Sequence, residues 1–143
     1  MLPPLGPAMG ADTRRPAVTT TQQTAAETIE TVTRFENAFN TNDVDTLMAA
    51  MTADTVFEHI APEGVSFGRY EGHDAVRAVW ESMPEHFPEC KFVIDDIFAT
   101  ADRCTCRYTL TFKGPDGPVV RRGVDVFRMR DGKIAEKLAY LTL

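Results

Sequence analysis

At Pro88 the hydrophobic pattern of this chain changes period, and it does not change back. From there on, "KFVIDDIFAT", "RCTCRYTLTF", "PVVRRGVDVFRMR" and "KIAEKLAYLTL" alternate apolar with polar residues and are rich in β-branched and aromatic side chains. A period of two puts one face of each run inside and the other outside, which is the signature of strands. The breakers between them carry "ADR", "KGPDG" and "DG". Asp-Gly between two alternating runs is the strongest hairpin signal of the three. The expectation is a meander of long strands in which neighbours pair antiparallel.

Ahead of Pro88 the period is helical. Ala25, Ile29, Val32, Phe35 and Phe39 recur at spacings of three and four, predicting an amphipathic helix from Ala25 to Asn40. "NTNDVDTLMAAM" supplies a turn, Asp43 as N-cap, and a short second helix with Leu47, Met48 and Met51 on its apolar side. "TVFEHI", Thr55 to Ile60, alternates as a strand, and "APEGVSFGRYEG" reads as a loop. A third helix is expected from about His73 to Met83, with Val76, Val79 and Trp80 on one side and Pro84 ending it. Helices first and a strand meander afterwards predicts an α+β fold, with three helices wrapped against a strongly curved, cone-shaped antiparallel sheet.

Composition narrows the function. A chain of 143 residues that is 43% hydrophobic can bury one core without disulfide staples. Residues 1–23, with Pro3, Pro4, Pro7, Pro16 and a threonine run, offer little to bury and are read as a disordered tail ahead of one domain over 24–143. The formal charge of −6 argues against nucleic-acid binding, which needs a clustered positive field. No apolar run approaches a membrane span, and the start lacks a secretory apolar segment, so the expected address is cytoplasmic, with no membrane partner. Three cysteines, two of them at Cys104 and Cys106 on one strand, fit a reducing compartment, and a lone C-x-C is poor zinc evidence.

The residue that asks for an explanation is Asp125, an acid between Val124 and Val126. By alternation it shares a face with Gly123, Phe127 and Met129. Lys137 likewise shares a face with Ala135 and Ala139, while Ile134, Leu138 and Tyr140 point the other way and offer an apolar outer patch suited to a homodimer. His59 shares a face with Phe57. Each has a plainer reading: Asp125 on a wet face, His59 bonded to loop backbone, Lys137 solvated, and Phe35, Trp80 and Phe127 as ordinary core. Arg121 and Arg122 read as a solvated strand edge.

The phrase "RFENAFNTNDVDTLMAAMTADTVFEHI", the later "GHDAVRAVW" and the closing "RGVDVFRMRDGKI" together resemble the SnoaL-like branch of the nuclear transport factor two-like superfamily, across nearly everything after the tail. The family holds ketosteroid isomerases, polyketide cyclases, limonene-epoxide hydrolases and non-enzymatic binding domains. The resemblance implies that Asp125 is the pocket acid, Phe127 a pocket aromatic, and His59 the group at the position of the isomerase base. Phe35 and Trp80 stand where the isomerase has tyrosines, and Gly123 where the epoxide hydrolase has arginine, so neither parent chemistry carries over whole. It also sends Cys104, Cys106, Tyr108, Leu110 and Phe112 into one mostly apolar cavity, with Phe57 and Lys137 at its wall.

A His59–Asp125 pair in such a cavity implies general acid/base catalysis without metal or cofactor. Two assignments stay open. Asp125 takes the proton and His59 protonates the oxyanion, or His59 is the base and a protonated Asp125 donates a hydrogen bond, as in the ketosteroid isomerase worked out for this type of site. Three functions follow: a cyclase or isomerase of a polyketide-like or polycyclic apolar substrate, a hydrolase or dehydratase, and a small-ligand-binding domain that does no chemistry.

Overall fold

The computed structural model describes residues 23–60 and 68–142. The expected tail, apart from Gln23, and residues 61–67 of the expected loop lie outside the described residues. Helix α1 spans Ala25–Ala38 and runs into a 3-10 turn at Phe39–Thr41; α2 is Val44–Ala49 and α3 is His73–His86. The strands are β1 Met51–Ile60, β2 Gly68–Glu71, β3 Lys91–Ala99, β4 Arg103–Gly114, β5 Gly117–Arg130 and β6 Lys133–Leu141. They form one curved, open sheet in the order β2-β1-β6-β5-β4-β3 with the helices on its concave side.

The local chemistry explains the ends of the elements. Thr24 caps α1 by accepting from the Glu27 amide at 3.1 Å, and its hydroxyl donates to the Glu27 carboxylate at 3.1 Å. Asp43 caps α2 by accepting from the Thr46 amide, as its sequence position predicts. Asp131 and Gly132 both take left-handed backbone (φ 52° and 76°), the combination a tight β5–β6 hairpin requires. Asn40 behaves as a one-residue strand: its side-chain amide donates to the Phe92 carbonyl at 3.0 Å, and the Phe92 amide donates back at 2.6 Å. This ties the helical layer to edge strand β3.

Five expectations are corrected. The sheet is not wholly antiparallel, because β1 and β6 run parallel; the hairpin rule holds for strands consecutive in sequence, and these two meet only after the whole meander has formed. Strand β1 begins at Met51, so Met51 is a core strand residue rather than part of α2. Inside the expected loop, Gly68–Glu71 pairs antiparallel with Val56–His59 as a short edge strand, too brief to carry a period. Helix α3 continues through Pro84 to His86, since a proline three residues from the end removes only the donor to the Trp80 carbonyl. Ile134 is fully buried and donates its amide to the Ala50 carbonyl: an irregularity between Arg128 and Met129 puts both Ile134 and Ala135 inside and leaves Glu136, Leu138 and Tyr140 outward. Arg121 and Arg122 lie where β5 overhangs β6, so the expected strand edge is local to that end.

Candidate active site

The concave face of β1, β6, β5 and β4 arranges the singled-out residues in rows. Phe57, Lys137 and Phe127 are direct register partners across β1, β6 and β5. One step along lie His59, Ala139, Asp125 and Cys106. At ~4.8 Å per strand, His59 and Asp125 have backbones about 10 Å apart, with Ala139 between them. Alanine there leaves the space above β6 empty.

That space opens into a cavity of about 430 Å3 between the sheet and α3. Its wall includes His59, Phe57, Trp80, Tyr108, Leu110 and Lys137, all singled out from the sequence, together with Phe39, Tyr70, Met83 and Phe92. Phe35, Phe127 and Asp125 are brought to the same place but lie behind the wall, fully buried. Cys104 and Cys106 are buried on the same strand face as Tyr108, and burial pushes the Cys104 thiol up to about 12, with Glu36 and Asp125 adding to it. His59 stacks on Phe57, with ring centroids 6.0 Å apart.

Behind the wall the structure places an ion cluster. The Lys137 ammonium lies 3.3 Å from the Asp125 carboxylate and 4.0 Å from Glu36. Asp125 and Glu36 have no exposure, and Lys137 has almost none. The ammonium also sits over the rings of Phe39, Trp80, Phe35 and Phe57 at 4.5 to 5.4 Å, attracted by their negative faces. The plain reading of Lys137 as a solvated chain is thus overturned. Burial acts to lower its pKa, yet the neighbouring Asp125 and Glu36 charges outweigh burial and raise it, so it stays an ammonium. Glu36 moves the opposite way for a carboxyl: burial first and Asp125 second push it well above the usual range, against a smaller opposing pull from Lys137. The carboxylate oxygens of both acids, and the Trp80 Nε1, have no hydrogen-bond partner among the described residues.

Glu36 was not singled out in the sequence, although the signal was present. It stands four residues after Val32 and three before Phe39, inside the apolar stripe of α1, and an acid on that stripe is a buried acid. Gly123, noted in the sequence only for sharing the Asp125 face and lacking an arginine, has a packing role of its own. A Cβ there would overlap the hydroxyl and Cζ of Tyr108, so glycine is what lets this ring lie against β5 and stack on Phe92, 4.3 Å between centroids. Burial, then the Asp125 and Glu36 charges, raise the Tyr108 phenol and keep it protonated. Among the described residues no group of three or more His, Cys, Asp or Glu side chains is placed to hold a metal ion. No described helix is long and apolar enough to cross a membrane.

Residues 32–137 match the family model described as SnoaL-like domain. No curated protein matches the chain. Among solved structures, an NTF2-like protein of unknown function from Mesorhizobium loti is 27% identical, covers 82% of this chain and 92% of its own, and superposes with a TM-score of 0.68. An LEH-like epoxide hydrolase from M. tuberculosis is 26% identical over 82% of this chain and 84% of its own, with a TM-score of 0.66. A protein from Jannaschia sp. CCS1 that carries the provisional name SnoaL-like polyketide cyclase is 22% identical over 82% of this chain and 86% of its own, TM-score 0.68; at that identity it speaks to the fold alone.

Proposed function

The chain belongs to the SnoaL-like domain family, and from that premise we propose a cofactor-independent enzyme that moves a proton on an apolar, polyketide-like or polycyclic small molecule, as a cyclase or isomerase. The observation that carries the reading is one ammonium, Lys137, held by Asp125 at 3.3 Å and facing an otherwise apolar cavity that His59 also lines. An apolar wall excludes water and strengthens every electrostatic interaction inside. His59, at the wall, is the group that accepts the proton from the substrate carbon. Asp125, behind the wall, acts through Lys137, whose ammonium stabilises the oxyanion as it forms. Phe57, Trp80, Tyr108 and Leu110 hold the substrate, while Phe35 and Phe127 support them from below. Glu36, a carboxyl that burial holds toward its neutral form, also favours a second reading, hydrolysis or dehydration, because a neutral acid near the site can protonate a leaving oxygen.

We read the protein as cytoplasmic, on the strength of its free thiols, and as a homodimer through the outer sheet face, where Tyr140, Phe98, Val93 and Val120 are exposed. A monomer by light scattering at micromolar concentration counts against the dimer. The activity is tested by incubating polycyclic ketones with the protein in deuterated water. Solvent deuterium entering carbon next to the carbonyl, and lost in His59→Ala and Asp125→Asn, is the expected result. Saturable binding without exchange turns the reading to a binding domain, and solvent oxygen in the product turns it to a hydrolase.

A further inference from the structure

Asp125 and Glu36 lie buried behind the cavity wall and Lys137 stands in it, two acids against one base. Lys137 is the only buried basic side chain among the described residues. If both acids were charged, the cluster would carry a net negative charge with no solvent to share it, a state buried sites avoid by neutralising a group. Geometry chooses which. The ammonium is closer to Asp125 at 3.3 Å than to Glu36 at 4.0 Å, so Asp125 is the acid it pairs with and Glu36 the one left over.

Resting on the reading of this cavity as a substrate site, we infer that Glu36 is a neutral carboxylic acid and a positioning residue, which leaves the Lys137 ammonium available to the cavity, and that the site takes apolar ligands with an uncharged carbonyl oxygen and turns away carboxylates. A neutral carbonyl accepts a hydrogen bond from an ammonium whose charge Asp125 already balances. A carboxylate brings a second negative charge to a cation already matched. Ionising Glu36 has the same effect from behind, because it draws the ammonium away from the cavity. The other titratable groups that act on Glu36 are Cys104, Cys106 and Tyr108 on β4; burial raises all three, so they stay uncharged through neutral pH. His59 and His86 also line the cavity.

Trp80 is the only tryptophan, lines the cavity and lies 5.0 Å from the Lys137 ammonium, which makes it the reporter. Fluorenone and fluorenecarboxylate are titrated against its fluorescence from mildly acid to mildly alkaline pH, in wild type and Glu36→Gln. The expected result is saturable quenching by fluorenone, tighter than by fluorenecarboxylate. Its affinity in wild type falls about ten- to a hundredfold wherever Glu36 releases its proton, the worth of one hydrogen bond to a charged group. The profile of Glu36→Gln stays flat there, and both histidines are common to the two proteins. Equal binding of the carboxylate, or the same fall in both proteins, overturns the inference while leaving a ligand site in place. No saturable quenching by either compound sinks the substrate-site reading and the ligand class with it. A ligand-free measurement separates the two failures: the infrared carbonyl stretch of a protonated carboxylic acid in wild type at neutral pH. Its absence overturns a neutral Glu36 whatever binds, and its presence in wild type with loss in Glu36→Gln assigns the proton to Glu36.

Discussion

Replacing Lys137 by methionine keeps most of the side-chain volume and removes the one charge that Asp125 faces. Breaking a buried pair by deleting one partner costs about 3–5 kcal/mol, because the other charge is left without solvent or counter-ion. Both partners here are effectively sealed, so the full range applies rather than the small values typical of exposed pairs such as Arg34 with Glu30. The four ring contacts lose their cation, but methionine sulfur packs well against aromatic edges and offsets part of that loss. At roughly 3–5 °C per kcal/mol for a domain of this size, the melting temperature should fall by about 10–20 °C. Urea denaturation of wild type, Lys137→Met, Asp125→Asn and the double variant closes a cycle. The double variant should be more stable than Lys137→Met alone, since the stranded carboxylate is gone, with a coupling of about 2–3 kcal/mol. A Lys137→Met protein within about 1 kcal/mol of wild type, or a double variant no better than the sum of the singles, would refute the claim that this pair is sealed.

Three further outcomes are expected. Glu36 has its folded pKa raised, so above the unfolded glutamate value the native chain holds a proton the unfolded chain has released, and wild-type stability must fall as pH rises through that window. Glu36→Gln should lack that fall, gaining on wild type with increasing pH, and parallel stability curves would contradict it. Gly123→Ala should cost about 1–3 kcal/mol through overlap with Tyr108, and a smaller residue at 108 should recover part of it in the same denaturation assay. Burial pushes the half-buried Cys90 thiol up to about 11 and raises Cys104 and Cys106 as well, so a maleimide at neutral pH should label the native protein slowly and label all three sites quickly only after unfolding.

Much of this was legible because the periods were clean. The alternation around Asp125 put it on the inner face with Phe127, and the same kind of count put Lys137 on one face with Ala135 and Ala139, because a strand face is set by parity alone. What parity cannot report is depth. Lys137 looked solvated because lysine usually reaches water, and only the meeting of α1 with β5 and β6 shows two acids waiting for it. Ile134 was misplaced for a related reason: an irregularity between Arg128 and Met129 shifts parity by one, and nothing in "RDGKIAE" announces it. The parallel β1–β6 pairing was invisible because pattern reading sees neighbours in sequence, and Glu36 was passed over because the helical stripe was counted by its apolar members only.

The central seam of the sheet joins residues such as Thr55 and Ile134, which lie 79 positions apart along the chain. The hairpins from β3 to β6 can form from near neighbours, whereas this seam must wait for a long loop to close, and contacts of that kind slow folding. Lys137 and Asp125 meet within the β5–β6 hairpin, whereas Phe57 on β1 comes to lie beside Lys137 only when the late seam closes. In pulsed hydrogen exchange during refolding, amides of the β4–β5 hairpin should gain protection before those of β1. A transient state with the meander formed and the floor of its cavity still in water is then the natural prey of proteases and chaperones.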